Sequence, residues 1–242
     1  MFIHSHKQYI VRSMNLIDPY KFSRPIFPGV IFEINASDIN CYAGSGNLVS
    51  NLAGNYNNGN INGTVSFDPI YKSFDFSTPG NYIDFGASSS LIRPSQATFT
   101  CLIKTPASFN SRSDVFSMWA PGYACYMLFL LSGNQMIFYM NLNGNSLQNT
   151  NVGILAANTW YYITVTHDGF VTKTFINAVM QNQSTRIGSI QNNGDSIKLY
   201  AGDSVGREGD FNGKIAKLKI YNRAISNSEI LEEYNSDSDG YI

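Results

Sequence analysis

Strand signals recur along this chain, some of them with apolar residues at a period of two, in short bursts cut off by glycine, asparagine and proline. VIFEI (30–34), SFDF (73–76), NYIDFG (81–86), ATFTCLIK (97–104), DVFSMWA (114–120), YMLFLL (126–131) and QMIFYMNL (135–142) are such bursts. TWYYITVTHDG (159–169), VTKTFIN (171–177), SIKLYAG (196–202) and KIAKLKIY (214–221) complete the series. A period of two puts alternate side chains on opposite faces of a strand. Many short strands with turns between them, and no strand–helix alternation, leave a sandwich or barrel and exclude a parallel α/β sheet. In ATFTCLIK, Phe99, Cys101 and Ile103 share one face. In TWYYITVT, Tyr161, Ile163 and Val165 share one face, with Trp160, Tyr162, Thr164 and Thr166 opposite. In KIAKLKIY, Ala216, Leu218 and Ile220 are expected to face in and Lys217 and Lys219 out. Ser132-Gly133-Asn134 reads as a tight hairpin turn.

One helix is well specified. Ser226-x-x-Glu229 is a capping box, Ile225 fits the staple position before it, and Ile230 and Tyr234 make an apolar pair four residues apart. Beyond it, Asn235-Ser-Asp-Ser-Asp-Gly240 is expected to be a solvated tail, because the chain ends before the glutamate a calcium loop would need.

The chain has 242 residues, 43% of them hydrophobic and only 14% charged, with a net charge of −1. That suits one large β domain with an ample core and offers no basic stripe for nucleic acid. There is no run of apolar residues long enough to span a membrane. The three cysteines, Cys41, Cys101 and Cys125, form no C-x-x-C pair and read as reduced structural thiols. Residues 1–28 differ in kind. They have no sustained period, lack the continuous apolar stretch of a signal peptide, and end in FSRPIFPG. Lys7, Arg12, Lys21 and Arg24 stand there against Asp18, a net of +3 that leaves −4 for the rest. The expected division is an extended docking arm over 1–28 and a single domain over 29–242.

Four pieces, in order, carry a family resemblance. NLAGNYNNGNI (51–61) resembles a D-L-S-G-N-G-N-N-G-x-L loop, and SFDFSTPGNYIDFG (73–86) resembles an S-x-x-F-D-G-x-x-D-Y-V-x-I hairpin. NTWYYITVTHDG (158–169) is similar to W-H-H-V-x-x-T-Y-D-G. FNGKIAKLKIYNRAISNSEI (211–230) is similar to F-x-G-x-I-x-x-V-R-I-Y-N-R-A-L-S-x-x-E-I. These are the motifs of laminin-G-like domains in the concanavalin A-like lectin and glucanase superfamily, including those carried on bacteriophage virions. The resemblance implies an all-β, two-sheet antiparallel jelly-roll sandwich with one short C-terminal helix, preceded here by the arm. It also marks two departures, Asn51 and Asn81 standing where the family has aspartate, which weakens any case for calcium there. The asparagine-rich run at 47–64 reads first as a shaped connection and second as a ligand contact.

Candidate site residues follow from chemistry. Trp119, Tyr123 and Tyr126 beside a Pro-Gly turn, with the amides of Asn141 and Asn143, are the patch suited to a sugar; the bland alternative is core aromatics beside a polar turn. Asp203, Glu208 and Asp210 in AGDSVGREGDF are the better candidates for a cation, and a surface loop is the plainer reading. His4 and His6 lack a third ligand, and His167 reads as packing. No pair of carboxylates falls in a glucanase pattern. The expected function is a non-enzymatic virion surface protein without a cofactor, assembled in a host cytoplasm, docking on other virion proteins or copies of itself through residues 1–28 and binding glycans. A cellular lectin is the rival, and a hydrolase the third class.

Overall fold

A computed structural model describes residues 27–54, 57–87, 95–109, 112–120, 123–143, 146–190, 198–202 and 210–242. Sixteen strands and one helix are described, in the order β1 (Val30–Asn35), β2 (Leu48–Val49), β3 (Gly59–Asn62), β4 (Ser66–Asp68), β5 (Ser73–Asp75), β6 (Tyr82–Ala87), β7 (Ala97–Lys104) and β8 (Ser113–Ala120). Then come β9 (Tyr123–Leu130), β10 (Gln135–Leu142), β11 (Ser146–Ile154), β12 (Trp160–His167), β13 (Val171–Ile176), β14 (Val179–Thr185), β15 (Lys198–Ala201), β16 (Lys214–Tyr221) and α1 (Asn227–Asp237).

They form two antiparallel sheets. The first runs β14-β13-β12-β7-β16-β5-β4, and the second β11-β10-β9-β8-β15-β6-β3-β2. β16 is the hub of the first sheet. β7 lies along one side of it, while β5 pairs with its start at Lys214 and Ile215 and β1 with the remainder. The two-sheet sandwich read from the sequence is therefore the fold. Its interior is filled by residues that the alternation groups on shared faces, among them Phe99, Cys101, Ile103, Ile163, Val165, Leu218 and Ile220. Phe99 is the aromatic centre, with Tyr126 at 4.6 Å, Phe138 at 4.9 Å and Phe116 at 6.1 Å between ring centroids. Such ring pairs add to the area term that drives burial.

The run at 47–64 is a built connection. It contains β2 and β3, and its asparagines bond to the main chain. Asn51 Oδ1 accepts from Glu33 N at 2.9 Å and Ala53 N at 3.2 Å, while Asn58 Oδ1 accepts from Asn51 N at 3.0 Å. Asn81, buried, accepts from Thr64 N at 2.8 Å. A neutral amide thus does the capping a carboxylate could do at both departures from the family pattern. Gly59 is required because a Cβ there would lie 2.5 Å from the Phe85 ring.

Two expectations about the C-terminal region need correction, and one needs extending. Lys217 and Lys219 face out of the sandwich, as the alternation places them, and are buried there against α1. Ala216 does not join the interior between the sheets; it packs outside with Leu102, Trp160 and Tyr162. The irregularity between Ile215 and Lys217 in the pairing with β7 shifts the alternation at that point. Finally, 235–240 is not a free tail, because α1 continues to Asp237, which is buried. The common cause is that α1 lies on the outer face of the first sheet. Alternation tells which face a residue takes, and the helix decides that this face is dry.

Under α1 the charges are matched. Lys219 Nζ donates to Glu233 Oε1 at 2.8 Å and to Asp237 Oδ2 at 2.5 Å. Lys217 Nζ donates to the Asp237 carbonyl at 2.8 Å and to its Oδ1 at 3.1 Å. Tyr162 donates to Glu233 Oε2 at 3.0 Å, and Tyr221 donates to Glu233 Oε1. Burial first, and the Glu233 carboxylate second, push both phenols well above their ordinary range. They therefore stay protonated and act as donors.

Candidate functional site

The sequence-derived sugar patch does not assemble as expected. Tyr126 is only 2% exposed and sits in the interior against Phe99, so it offers no platform to a ligand. Its place is fixed by period-two alternation with Leu128 and Leu130. Asn141 is buried as well. Asn143 is exposed, but its amide is spent on the chain: Oδ1 accepts from Ser189 N at 3.1 Å, and Nδ2 donates to Ile187 O at 3.4 Å. Trp119 and Tyr123 lie on β8 and β9, and their side chains are outside the described residues. So are Asp203, Glu208 and the arm residues Lys7, Arg12, Lys21 and Arg24. Asp210 is described and half-buried, and among the described residues no group of histidine, cysteine and carboxylate side chains is placed to hold a metal ion. His167 is a packing residue, fully buried between Thr172 Oγ1 at 3.2 Å and the Gly188 carbonyl at 2.8 Å.

A cleft of about 530 Å³ opens elsewhere, on the outer face of the first sheet just beyond the start of α1. Thr166 on β12 and Lys173 on β13 are cross-strand partners and form its floor. Asp168 comes from the turn between those strands and Val171 from the start of β13; Arg223 and Ser226 come from the passage into α1, and Asn227 and Glu229 from its first turn. Thr98 on β7 holds that passage, its hydroxyl donating to Arg223 O at 2.8 Å and accepting from Ile225 N at 3.0 Å.

The charged groups of the cleft have different duties. Glu229 closes the capping box on Ser226 and takes two bonds from the Arg223 guanidinium, at 2.5 and 3.0 Å. The Arg223 bond chiefly, against a smaller opposing effect of burial, holds its carboxyl down at about 2. Arg223 in turn reaches Pro28 O at 2.7 Å. Asp168 Oδ1 accepts from Phe170 N at 2.9 Å and Val171 N at 2.7 Å. Burial alone would raise its pKa, but the hydrogen bonds from those N–H groups together outweigh it and keep it below the ordinary carboxylate value. Lys173 has no ion pair among the described residues, and Asn227 carries a planar amide at the first turn of α1. The sequence motifs contain several of these residues, as THDG and NRAISNSE, but their convergence depends on β12, β13 and β16 sharing one sheet. That long-range pairing has no local signal.

Among the described residues, the fold is an antiparallel two-sheet sandwich with a polar cleft on the outer face of one sheet. The chain belongs to the laminin-G family of the concanavalin A-like lectin/glucanases superfamily, whose profile matches residues 76–231. No curated protein matches the sequence. Solved structures share the fold at low identity. The binding domain of Paraclostridial Mosquitocidal Protein 1 superposes with a TM-score of 0.67 at 16% identity, over 86% of this chain and 52% of that one. The binding domain of botulinum neurotoxin DC in complex with SialylT gives 0.66 at 14%, over 86% and 51%. Trypanosoma rangeli sialidase in complex with sialic acid gives 0.64 at 14%, over 89% and 35%. The chain thus spans about half of the two toxin domains and a third of the sialidase.

Proposed function

We propose that this chain is a non-enzymatic, lectin-like module that binds glycans in the cleft between the β12–β13 turn and α1. The observation that carries the reading is the state of the two carboxyls there. Glycoside hydrolysis by a carboxyl pair needs one of them held protonated near neutral pH as general acid. Asp168 accepts from two backbone N–H groups and Glu229 accepts both bonds of the Arg223 guanidinium, contacts that favour the ionised form of each. What remains suits recognition: a carboxylate, an amide, a hydroxyl and an ammonium around an open polar cavity. Glycan binding is supported by likeness to a toxin binding domain solved with SialylT and a sialidase solved with sialic acid.

We further propose that the module is carried on a virion, decorating a capsid or tail, with residues 1–28 docking it to other virion proteins or to copies of itself. The motif resemblance to modules on phage particles and the basic character of that segment support this placement. The toxin and sialidase neighbours favour the second reading, a lectin of a cell. A glycan array with the full chain tests binding. A hit should weaken about 10-fold or more in Asp168→Asn or Asn227→Ala, corresponding to the loss of one or two net hydrogen bonds. Glycan turnover by the full chain, abolished by Asp168→Asn, would overturn the non-enzymatic reading. Mass spectrometry of purified particles separates the virion from the cell.

A further inference from the structure

We propose that Phe170, with Ile187 beside it, is the apolar platform of the cleft and, resting on the glycan-binding reading, that the sugar it receives is a β-linked gluco- or galactopyranoside. Among the described residues the cleft lining holds no aromatic side chain. A pyranose has two kinds of surface, hydroxyls around its rim and C–H bonds across its faces, and the lining answers mainly the first. Phe170 supplies a partner for the second. It stands in the turn between Asp168 and Val171, which both line the cleft, and at 65% it is the most exposed aromatic side chain among the described residues. Ile187 is 66% exposed. Arg186 N donates to Phe170 O at 2.7 Å and Gly188 N to Gly169 O at 3.0 Å, so Ile187, between those two donors, lies alongside the turn.

Both side chains project from backbone that is strapped down. Phe170 N donates to Asp168 Oδ1 at 2.9 Å, and Asp168 N donates to Val171 O at 3.2 Å. Gly169, at φ +91°, holds a conformation that a residue with a Cβ enters only with strain. On the other limb the Ile187 carbonyl accepts from Asn143 Nδ2 at 3.4 Å, and the Gly188 carbonyl from His167 Nε2 at 2.8 Å. A rigid turn thus keeps an aromatic ring out of the interior and presents it at the cleft's rim. The negative face of such a ring attracts C–H bonds polarised by neighbouring oxygens. That chemistry selects the sugar. β-Linked glucose and galactose each have one ring face that carries axial C–H bonds and no axial oxygen. This face lies on Phe170 while hydroxyls reach the Asn227 amide and Asp168 Oδ2, since the main-chain bonds to Asp168 fall on Oδ1. In α-linked mannose, axial oxygens interrupt both faces.

The test is a glycan array carrying β-galactosides, β-glucosides and α-mannosides, followed by titration of the full chain with the sugars that bind. The β-linked arms should bind and the α-mannosides should not. Phe170→Ala should weaken binding about 10-fold, and Phe170→Tyr, which keeps the ring face, should restore it. Because the side chain is exposed, both variants should melt with the parent. In the proton spectrum of the bound sugar, the ring current of Phe170 should move pyranose C–H signals upfield, a shift absent at saturation in Phe170→Ala. Binding that falls in Asp168→Asn and Asn227→Ala but is unchanged in Phe170→Ala would overturn this proposal and leave glycan binding in the cleft standing. So would a preference for α-mannosides. Binding that falls in Phe170→Ala alone would overturn the cleft and support the ring contact. A chain that binds no sugar on the array would overturn both.

Discussion

Asn51 and Asn81 show how much one side chain can carry when it replaces secondary structure as a partner for the main chain. Both are buried and both accept from backbone N–H groups that would otherwise be stranded. Replacing Asn51 by Ala should cost about 1–3 kcal/mol, the penalty for leaving a buried donor unpaired, and chemical denaturation will measure it. Asn51→Asp should keep most of that stability, because a carboxylate oxygen accepts equally well. Glu233 is a harsher case. It takes bonds from Lys219, Tyr162 and Tyr221, and Glu233→Ala should destabilise by about 3–5 kcal/mol by leaving a buried cation without its partner. A loss below 1 kcal/mol would show that the site floods with water when opened.

At the scale of elements, α1 is tied down at its first turn by the capping box and the Arg223 pair. Glu229 has its carboxyl at about 2 in the fold against an ordinary value of 4.5. A depressed carboxyl contributes stability that is fully present above its unfolded value and disappears as pH falls through its folded one. Melting curves of the parent and Glu229→Gln should therefore differ most above about pH 4.5 and converge toward pH 2; a constant difference would contradict the assignment. Ser226→Ala should cost about 0.5–2 kcal/mol as a lost N-cap. This helix was legible in the sequence because its signals are local. The strands with clean alternation were legible for the same reason. β11 and β14 were not, since SLQNTNVGI and VMQNQST are polar and make strands by pairing with β10 and β13. The cleft was not legible either, because Lys173 and Asn227 meet only through the order of strands in the sheet. Tyr126 is the opposite lesson: its alternation with Leu128 and Leu130 already placed it inside, and its chemistry alone suggested a platform.

For the whole molecule, the interior is continuous from β1 to β16 and holds all three thiols buried. Burial pushes the Cys41 thiol up to about 11 and that of Cys101 higher still. Thiolate is the reactive form, so alkylation of the native chain at pH 8 should be slow at these two positions and rapid in denaturant. Because the thiols sit in one core, their labelling should follow the same denaturation curve as tyrosine fluorescence. Separate curves would divide the sandwich into independently melting parts.

The Arg223 bridge has a mechanical consequence. Its guanidinium grips Pro28, and Asn222 N bonds to Gly29 O at 2.9 Å, so the strand that receives the leading segment is riveted to the end of β16. Tension on that segment would not peel a peripheral hairpin. It would pass directly into the most heavily bonded strand of its sheet, making the corner at Gly29 the strong point from which the domain can hang.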